Sequence, residues 1–512
     1  MLKMVDGTGI IGVDMVCPLG GTVSPPQPPN YDKVEMEGVG SLMLPNSLKA
    51  PLERVELLGN STQGENPAPD NPQEIKSAGR KSRNLLNLQK QPDVKETYLG
   101  WKVSDGRNVV LSVKDKGNNA DITGCYLGLS RTGGSSDGVV WAVNNGSVAA
   151  KEVVSKNQYV SVFPSNETTV RKLLERFDIQ VEYGGNATDY EPYGYLLDLK
   201  VIGKNLFDSE KARDINNWTD SIVQPGYIDF SIYVGKGNSV NISYSENLEA
   251  GLGFYAGIAQ SVNNGPLYWL YHSLQQSLNK NNYKLIAECD YISVRVIKSN
   301  LQGFLEHIKT LQIENSNTPT SYEPYTEQSV QITLDEPLRG IGEYKDTITK
   351  DGIVRKIAPY EVNLNDLRDG GYSKTNTVMF SVKVQNKTVG YASSKPSILC
   401  NIFPDCALQM SNIYNNDKEC IAVGGGIVLF RVNKSRLKDI SSFEATKQSF
   451  IELMADKKMI VEYALETPVT EPLPESAQQQ LQALHSENGV THVFVDSGEV
   501  PCGIKLTYRK EI

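Results

Sequence analysis

The sequence predicts an all-β protein: a tandem array of jelly-roll-type β-sandwich modules with a few short helices and an N-terminal arm. Three observations lead there. One stretch occurs twice: residues 178–193 read DIQVEYGGNATDYEPY and residues 310–325 read TLQIENSNTPTSYEPY. In each, a run alternating with period two, Ile179-Gln180-Val181-Glu182 or Leu311-Gln312-Ile313-Glu314, marks a half-buried strand. A polar turn follows, then Tyr-Glu-Pro-Tyr, whose proline fixes its own φ and holds Glu191 or Glu323 extended. A third echo, MIVEYALETPVTEPL at 459–473, keeps the strand, the acidic residue and the Thr-Pro exit but lacks the second tyrosine. The second observation is composition: 25 tyrosines and 43 glycines, with abundant Asn, Ser and Thr, favour short strands joined by turns. The third is Asp-Gly between alternating runs, within 101–111 and again within 343–357, which signals hairpins. Modules of roughly 120 residues in series make an array, and arrays display surfaces more often than they enclose one deep active site.

At 512 residues the chain can hold three or four domains of roughly 150 residues, each with its own core. A net charge of −9 and a pI near 5.3 exclude the basic face that nucleic acid requires. No apolar run approaches the roughly 18–20 residues of a membrane span. Asp6 and Asp14 interrupt the apolar N-terminus, so synthesis and first folding are expected in a cytoplasm. The seven cysteines are odd in number and scattered, and are expected to be buried free thiols of a reducing compartment.

Residues 1–35 form an N-terminal attachment arm whose proline-rich part, 18–30, is an extended semi-rigid linker. Residues 36–83 are an extended connector with short strands. Pro45 and Pro51 prevent a long helix there, and Ile75 anchors a strand into the first module. That module, 84–200, carries a strand around Trp141 and a helix over 168–177 with a threonine cap and Leu173, Leu174 and Phe177 facing inward. Module two, 201–335, has strands over 228–234, 240–244 and 291–297. A hairpin connector occupies 336–360. The last module, 361–512, has strands over 378–384 and 426–432 and a helix over 442–454 capped by Ser442.

The run Gly59-Asn60-Ser61-Thr62-Gln63 followed by Pro69-Asp70-Asn71-Pro72-Gln73-Glu74-Ile75-Lys76-Ser77 carries a family resemblance. So do the module openings Asn84-Leu85-Leu86-Asn87 and Asn205-Leu206-Phe207-Asp208, the Tyr-Glu-Pro-Tyr closures and the VEYALETPVTEPLP segment. Over about 36–512 the chain resembles tail and baseplate structural proteins of phages that infect Gram-positive bacteria. The resemblance implies galactose-binding-like, carbohydrate-binding sandwiches in a virion protein of receptor-binding or tail-fibre type, assembled in the host bacterial cytoplasm. It also implies partners: a host cell-surface glycan, other tail or baseplate proteins through the N-terminal arm, and further copies of the chain in a homo-oligomer, a trimer.

Catalysis needs convergent groups, and few are visible. The motifs HExxH and GxxxxGK[ST] are absent. The spacing of His485 and His492 matches neither one helical face nor a common zinc pattern. Gly424-Gly425-Gly426 precedes a strand rather than a helix, so it marks a bend and not a phosphate cradle. A polysaccharide depolymerase would need only two carboxylates, and composition cannot nominate a pair. The expectation is therefore a non-enzyme with neither cofactor nor metal. Aromatic residues are the better lead, because sugars stack their C–H faces on Trp or Tyr beside groups that read the hydroxyls. Trp101, Trp141 and Trp218 are expected to be core residues, and the Tyr-Glu-Pro-Tyr tyrosines packing residues. The loop over 263–272 gathers Tyr268, Trp269, Tyr271 and His272 after an Asn-Asn-Gly-Pro turn, and these four are the candidate glycan contacts. The functional expectation is host attachment by multivalent glycan binding. The alternatives are a purely architectural subunit and a depolymerase.

Overall fold

Alternation along Tyr195–Ile202 and Glu327–Leu334 turns Leu197, Leu199 and Val201, and Val330, Ile332 and Leu334, toward one buried face. These two strands begin a sheet that collects segments from across the chain. The computed structural model describes residues 5–6, 9–10 and 31–512, except 89, 91, 96, 134–137, 221–224, 244–255, 262–271, 274–281, 308–309, 372, 390–395 and 407–409. Most of the N-terminal arm therefore lies outside the described residues. The chain is all-β, a set of sandwiches with few helices.

The sheet runs Glu327–Leu334, Tyr195–Ile202, Gly489–Asp496, Ser41–Ser47, Gly503–Glu511, Arg54–Leu58, Thr347–Thr349, Gly352–Glu361, Ile460–Glu471, Ile398–Cys400. Tyr31–Val39 also pairs with Gly503–Glu511, and Arg80–Lys81 with Tyr195–Ile202. One hydrophobic core joins Leu44 and Leu57 from the first strands, Leu199, Ile332 and Ile348 from the middle, and Val493 and Leu506 from the end. Segments expected to be connectors, 36–83 and 336–360, thus supply strands of this sheet.

Three bodies are inserted into it, each with its own core. The chain leaves and returns on antiparallel neighbours every time. Lys81 lies opposite Tyr195, Ile202 opposite Glu327, and Glu361 opposite Ile460. In the first module, Asp93–Lys95, Tyr98–Lys102, Tyr159–Phe163, Tyr126–Ser130 and Val140–Asn144 share a sheet, which Ser147–Val148 extends. It faces Glu152–Ser155, Val109–Asp115 and Phe177–Tyr183. Module two repeats this order strand for strand: Thr219–Asp220, Tyr227–Tyr233, Tyr291–Ile297, Ala256–Ser261 and His272–Ser273 face Asn282–Ile286, Ser239–Ser243 and Gln312–Asn315. This interleaving of early and late strands is that of a jelly roll.

The repeated sequence motif is a hydrogen-bonded clamp at each module's neck. The buried Asn84 carboxamide donates to the carbonyls of Ile179 and Glu191 and accepts from the amides of Leu86 and Val181. Asn205 does the same with Leu311, Glu323, Phe207 and Ile313. Gln180 and Gln312 accept from the amides of Glu191 and Glu323. Glu182 and Glu314 accept from the amide and hydroxyl of Thr188 and Thr320. The residue before each asparagine, Arg83 or Lys204, pairs with the glutamate of Tyr-Glu-Pro-Tyr at 3.0 and 2.9 Å. The third echo departs from the pattern. Its strand continues to Glu471 along Gly352–Glu361, and Glu462 turns to Ser61, Ser77 and Arg339 of the central sheet.

The two helices expected from sequence fall at Glu167–Arg176 and Phe443–Leu453, with Ser442 capping the second. Asn166, not a threonine, caps the first, because its side chain reaches the Thr169 amide. Leu173 and Phe177 are buried, but Leu174 is 37% exposed. The segment 101–111 is not a hairpin. The amides of Val103 and Ser104 stay on the Gln158 carbonyl, and the Asp105-Gly106 turn carries the chain to the facing sheet. The 343–357 segment does fold back, with Thr347 opposite Val354. Gly425 and Gly426, at φ +59° and +80°, make the two-residue turn of the hairpin between Cys420–Gly424 and Ile427–Asn433. The cysteine expectation also needs correction. An Asp405–Ile421 bridge brings Cys406 and Cys420 to 5.1 Å between Cα atoms, and they form a disulfide.

The central sheet meets module two through aromatic rings. Tyr233 sits edge-on to Phe494 at 5.1 Å between centroids, and the His492 ring lies parallel to Phe494 at 6.0 Å. His492 is buried, its Nε2 finds no hydrogen-bond partner among the described residues, and burial pushes its pKa down from 6.5 to about 4. Below pH 6.5 the unfolded chain therefore takes up a proton that the folded chain refuses until about pH 4. That costs up to roughly 3 kcal/mol across the window. Asp405, raised to about 6 by burial, acts in the opposite sense over the same range. Comparing wild type with His492→Phe isolates the histidine. Denaturant titrations should show wild type losing stability relative to the variant as pH falls from 6.5 to 4, and parallel pH profiles would contradict this.

Removing a clamp leaves two backbone donors and two acceptors unmet inside a neck. Asn84→Ala should cost about 3 kcal/mol and speed hydrogen exchange at the Leu86 and Val181 amides, leaving Phe207 and Ile313 unchanged. Asn205→Ala should give the mirror image. Unaltered exchange at Val181 in Asn84→Ala would show that the clamp is dispensable.

Candidate functional site

The Tyr-Glu-Pro-Tyr segment of the first module links the strand Phe177–Tyr183 to the strand Tyr195–Ile202. Glu191 turns inward onto Arg80 at 2.8 Å and the Arg83 amide at 2.9 Å. Tyr190 and Tyr193 are each 39% exposed. This corrects the reading of these tyrosines as packing residues.

Beside them runs a cavity of about 680 Å³, bounded by Tyr190, Pro192 and Tyr193 on the module and by Asp335, Arg355 and Glu471 on the central sheet. The Arg355 side chain is buried. It donates to Glu471 at 2.9 Å, to Asp346 at 3.3 Å and to the Pro337 carbonyl at 2.8 Å, so its charge is compensated. Glu471 is about half exposed and Asp335 is exposed. Burial, with Asp178 nearby, raises the Tyr190 hydroxyl above its ordinary pKa and keeps it a donor.

A second cavity of about 750 Å³ adjoins the first, and Leu88 and Leu174 line both. Its wall includes Trp101, whose buried indole donates to the Lys90 carbonyl at 2.9 Å. Two cations, Lys90 and Arg171, and two carboxylates, Glu167 and Glu175, are its charged lining, beside the polar Ser165 and Asn166. Each cavity lies within the roughly 300–1,000 Å³ typical of ligand sites. Aromatic faces, phenol hydroxyls and exposed carboxylates together can hold a hydroxyl-rich ligand. Asp335 and Glu471 are the carboxylates a hydrolase would need. Both are wet, and Glu471 is fastened to Arg355, so neither has the dry surroundings of an acid catalyst.

Of the candidates chosen from sequence, Tyr268, Trp269 and Tyr271 lie outside the described residues. His272 opens the two-residue edge strand His272–Ser273, paired with Gly257 and Ile258. Trp101 and Trp218 are core residues with their indole N–H groups bonded, and Trp141 packs edge-on against Tyr126. His485 hydrogen-bonds with Gln328 and neighbours Glu487. Among the described residues, no group of three or more His, Cys, Asp and Glu is gathered as for a metal ion. No helix among them is long and apolar enough to cross a membrane. Sequence reasoning missed these cavities because their walls come from segments scattered between residues 84 and 474. The one available signal was the tyrosine pair of Tyr190-Glu191-Pro192-Tyr193.

No protein-family model and no curated protein matches the chain. Among solved structures it aligns with T=1 particles derived from infectious bursal virus at 9% identity, over 95% of this chain and 81% of that one, with a TM-score of 0.08. It aligns with infectious bursal disease virus Gt strain at 9% identity, over 95% and 84%, also at 0.08. Superpositions at that level carry no argument about fold or function.

Proposed function

We propose that this chain is a structural protein of a phage tail or baseplate that attaches to host-surface glycans through several weak contacts. The observation that carries the reading is the hanging of three modules on one sheet, two of them identical in strand order and clamped alike. A repeated display body suits a repetitive cell surface. Each solvent-open sugar site is weak, and repetition within a chain and across a trimer raises avidity by roughly 10²–10⁴ where geometry permits. The virion is the proposed location, after assembly in the bacterial cytoplasm and docking through the N-terminal arm. The Cys406–Cys420 bridge suits a particle exposed to an oxidising medium.

A purely architectural role is the second reading. It is favoured by the three described tryptophans, which serve packing. Labelled full-length protein should adsorb to intact Gram-positive cells without releasing reducing ends, and dissociating the oligomer should weaken adsorption by roughly 10²–10⁴. Adsorption to no cell of a broad panel would favour the architectural role, and released reducing ends would favour the depolymerase.

A further inference from the structure

We propose that the two cavities at the first module's neck form one continuous groove that binds an extended, uncharged glycan chain. The proposal rests on the glycan-attachment reading and assigns it a site that sequence did not select. Continuity comes from Leu88 and Leu174, which line both cavities. Leu174 is 37% exposed on an otherwise amphipathic helix, where a leucine facing only water would serve no packing purpose. At one end Tyr190 and Tyr193 offer half-exposed rings beside Asp335 and Glu471. Rings with carboxylates and phenols are the set that stacks a sugar face and accepts from its hydroxyls.

Charge decides between a neutral glycan and an anionic wall polymer. Arg355, the cation lining the first cavity, is already held by Asp346 and Glu471, and the exposed carboxylate of Asp335 stands on the same lip. In the second cavity Lys90 and Arg171 are matched by Glu167 and Glu175. A phosphate-bearing chain would meet balanced or negative potential along the whole path, whereas a neutral chain pays no such cost. Extension follows from shape, since a single sugar occupies one cavity and a longer chain must cross Leu88 and Leu174 to reach the other.

The test uses full-length protein and wall polysaccharide from Gram-positive cells. One arm is stripped of phosphodiesters with hydrofluoric acid and cut to graded lengths, and the other is intact teichoic acid. Titration calorimetry should show phosphate-free oligosaccharides binding more tightly as they lengthen, and teichoic acid not binding in the groove. Leu174→Arg, at an exposed position, should weaken long oligosaccharides by roughly tenfold and leave monosaccharides little changed. Tyr193→Ala should weaken both, with hydrogen exchange at Val181 confirming an intact neck. Asp335→Asn gives a variant that alters no buried group. Wild-type binding by all three variants would overturn the groove, as would binding of teichoic acid alone or of no oligosaccharide. Cell adsorption that survives in every groove variant would remove the groove and keep the attachment reading. Oligosaccharide binding by a protein that adsorbs to no cell would do the reverse.

Discussion

The first two modules each depend on one side-chain carboxamide at the neck. A module inserted into a sheet enters and leaves through two strands whose backbone groups must be satisfied where regular pairing stops. Asn84 and Asn205 each meet four such groups at once. An aspartate could accept but not donate, and a glutamine is one carbon too long for two amides two residues apart. This accounts for the same short motif at two necks whose flanking sequences differ. The clamp also holds the backbone of Tyr-Glu-Pro-Tyr, because each asparagine donates to the carbonyl of its glutamate.

The inner end of the structure is held differently, by buried charge. Asp346 is fully buried and accepts from the amides of Arg339, Lys356 and Ile357, with Arg355 beside it. Arg339 continues the network to Glu336 and Glu462, and Glu462 accepts from Ser61 and Ser77. Burial pushes both the Asp346 and Glu462 carboxyls up, against the pull of these donors. Such networks rarely add stability over apolar packing, so their contribution is register: one alignment of 59–77, 336–357 and 462 satisfies them all. Gly59 and Gly340 permit the crossing, because a Cβ on Gly59 would lie 2.1 Å from the Arg339 carbonyl oxygen.

Local periodicity was legible because it reports one face of one element. The alternation of Ile292, Val294 and Val296 placed the Tyr291–Ile297 strand to the residue, and Ser442 placed its helix. What periodicity omits is the partner. Nothing in 101–111 tells that the Asp-Gly turn joins two sheets instead of two neighbours. Nor does the Tyr31–Val39 strand announce that it pairs with residues 503–511 at the far end of the chain. The groove escaped notice for the same reason, being assembled from pieces that are individually unremarkable. The tyrosines were visible in the sequence, but that Glu191 turns inward beside them is decided by Arg80 and Arg83, about a hundred residues away.

The side-by-side necks have a consequence for inheritance. Ile202 stands directly across from Glu327, and Glu361 across from Ile460, at the spacing of ordinary paired strands. A stretch of gene coding for everything between such neighbours can be lost, duplicated or exchanged while the two ends still meet. A tight turn could close the gap left behind. The sheet thus behaves as a fixed chassis with interchangeable cassettes. Two cassettes of one strand order, clamped alike, are what such exchange would leave.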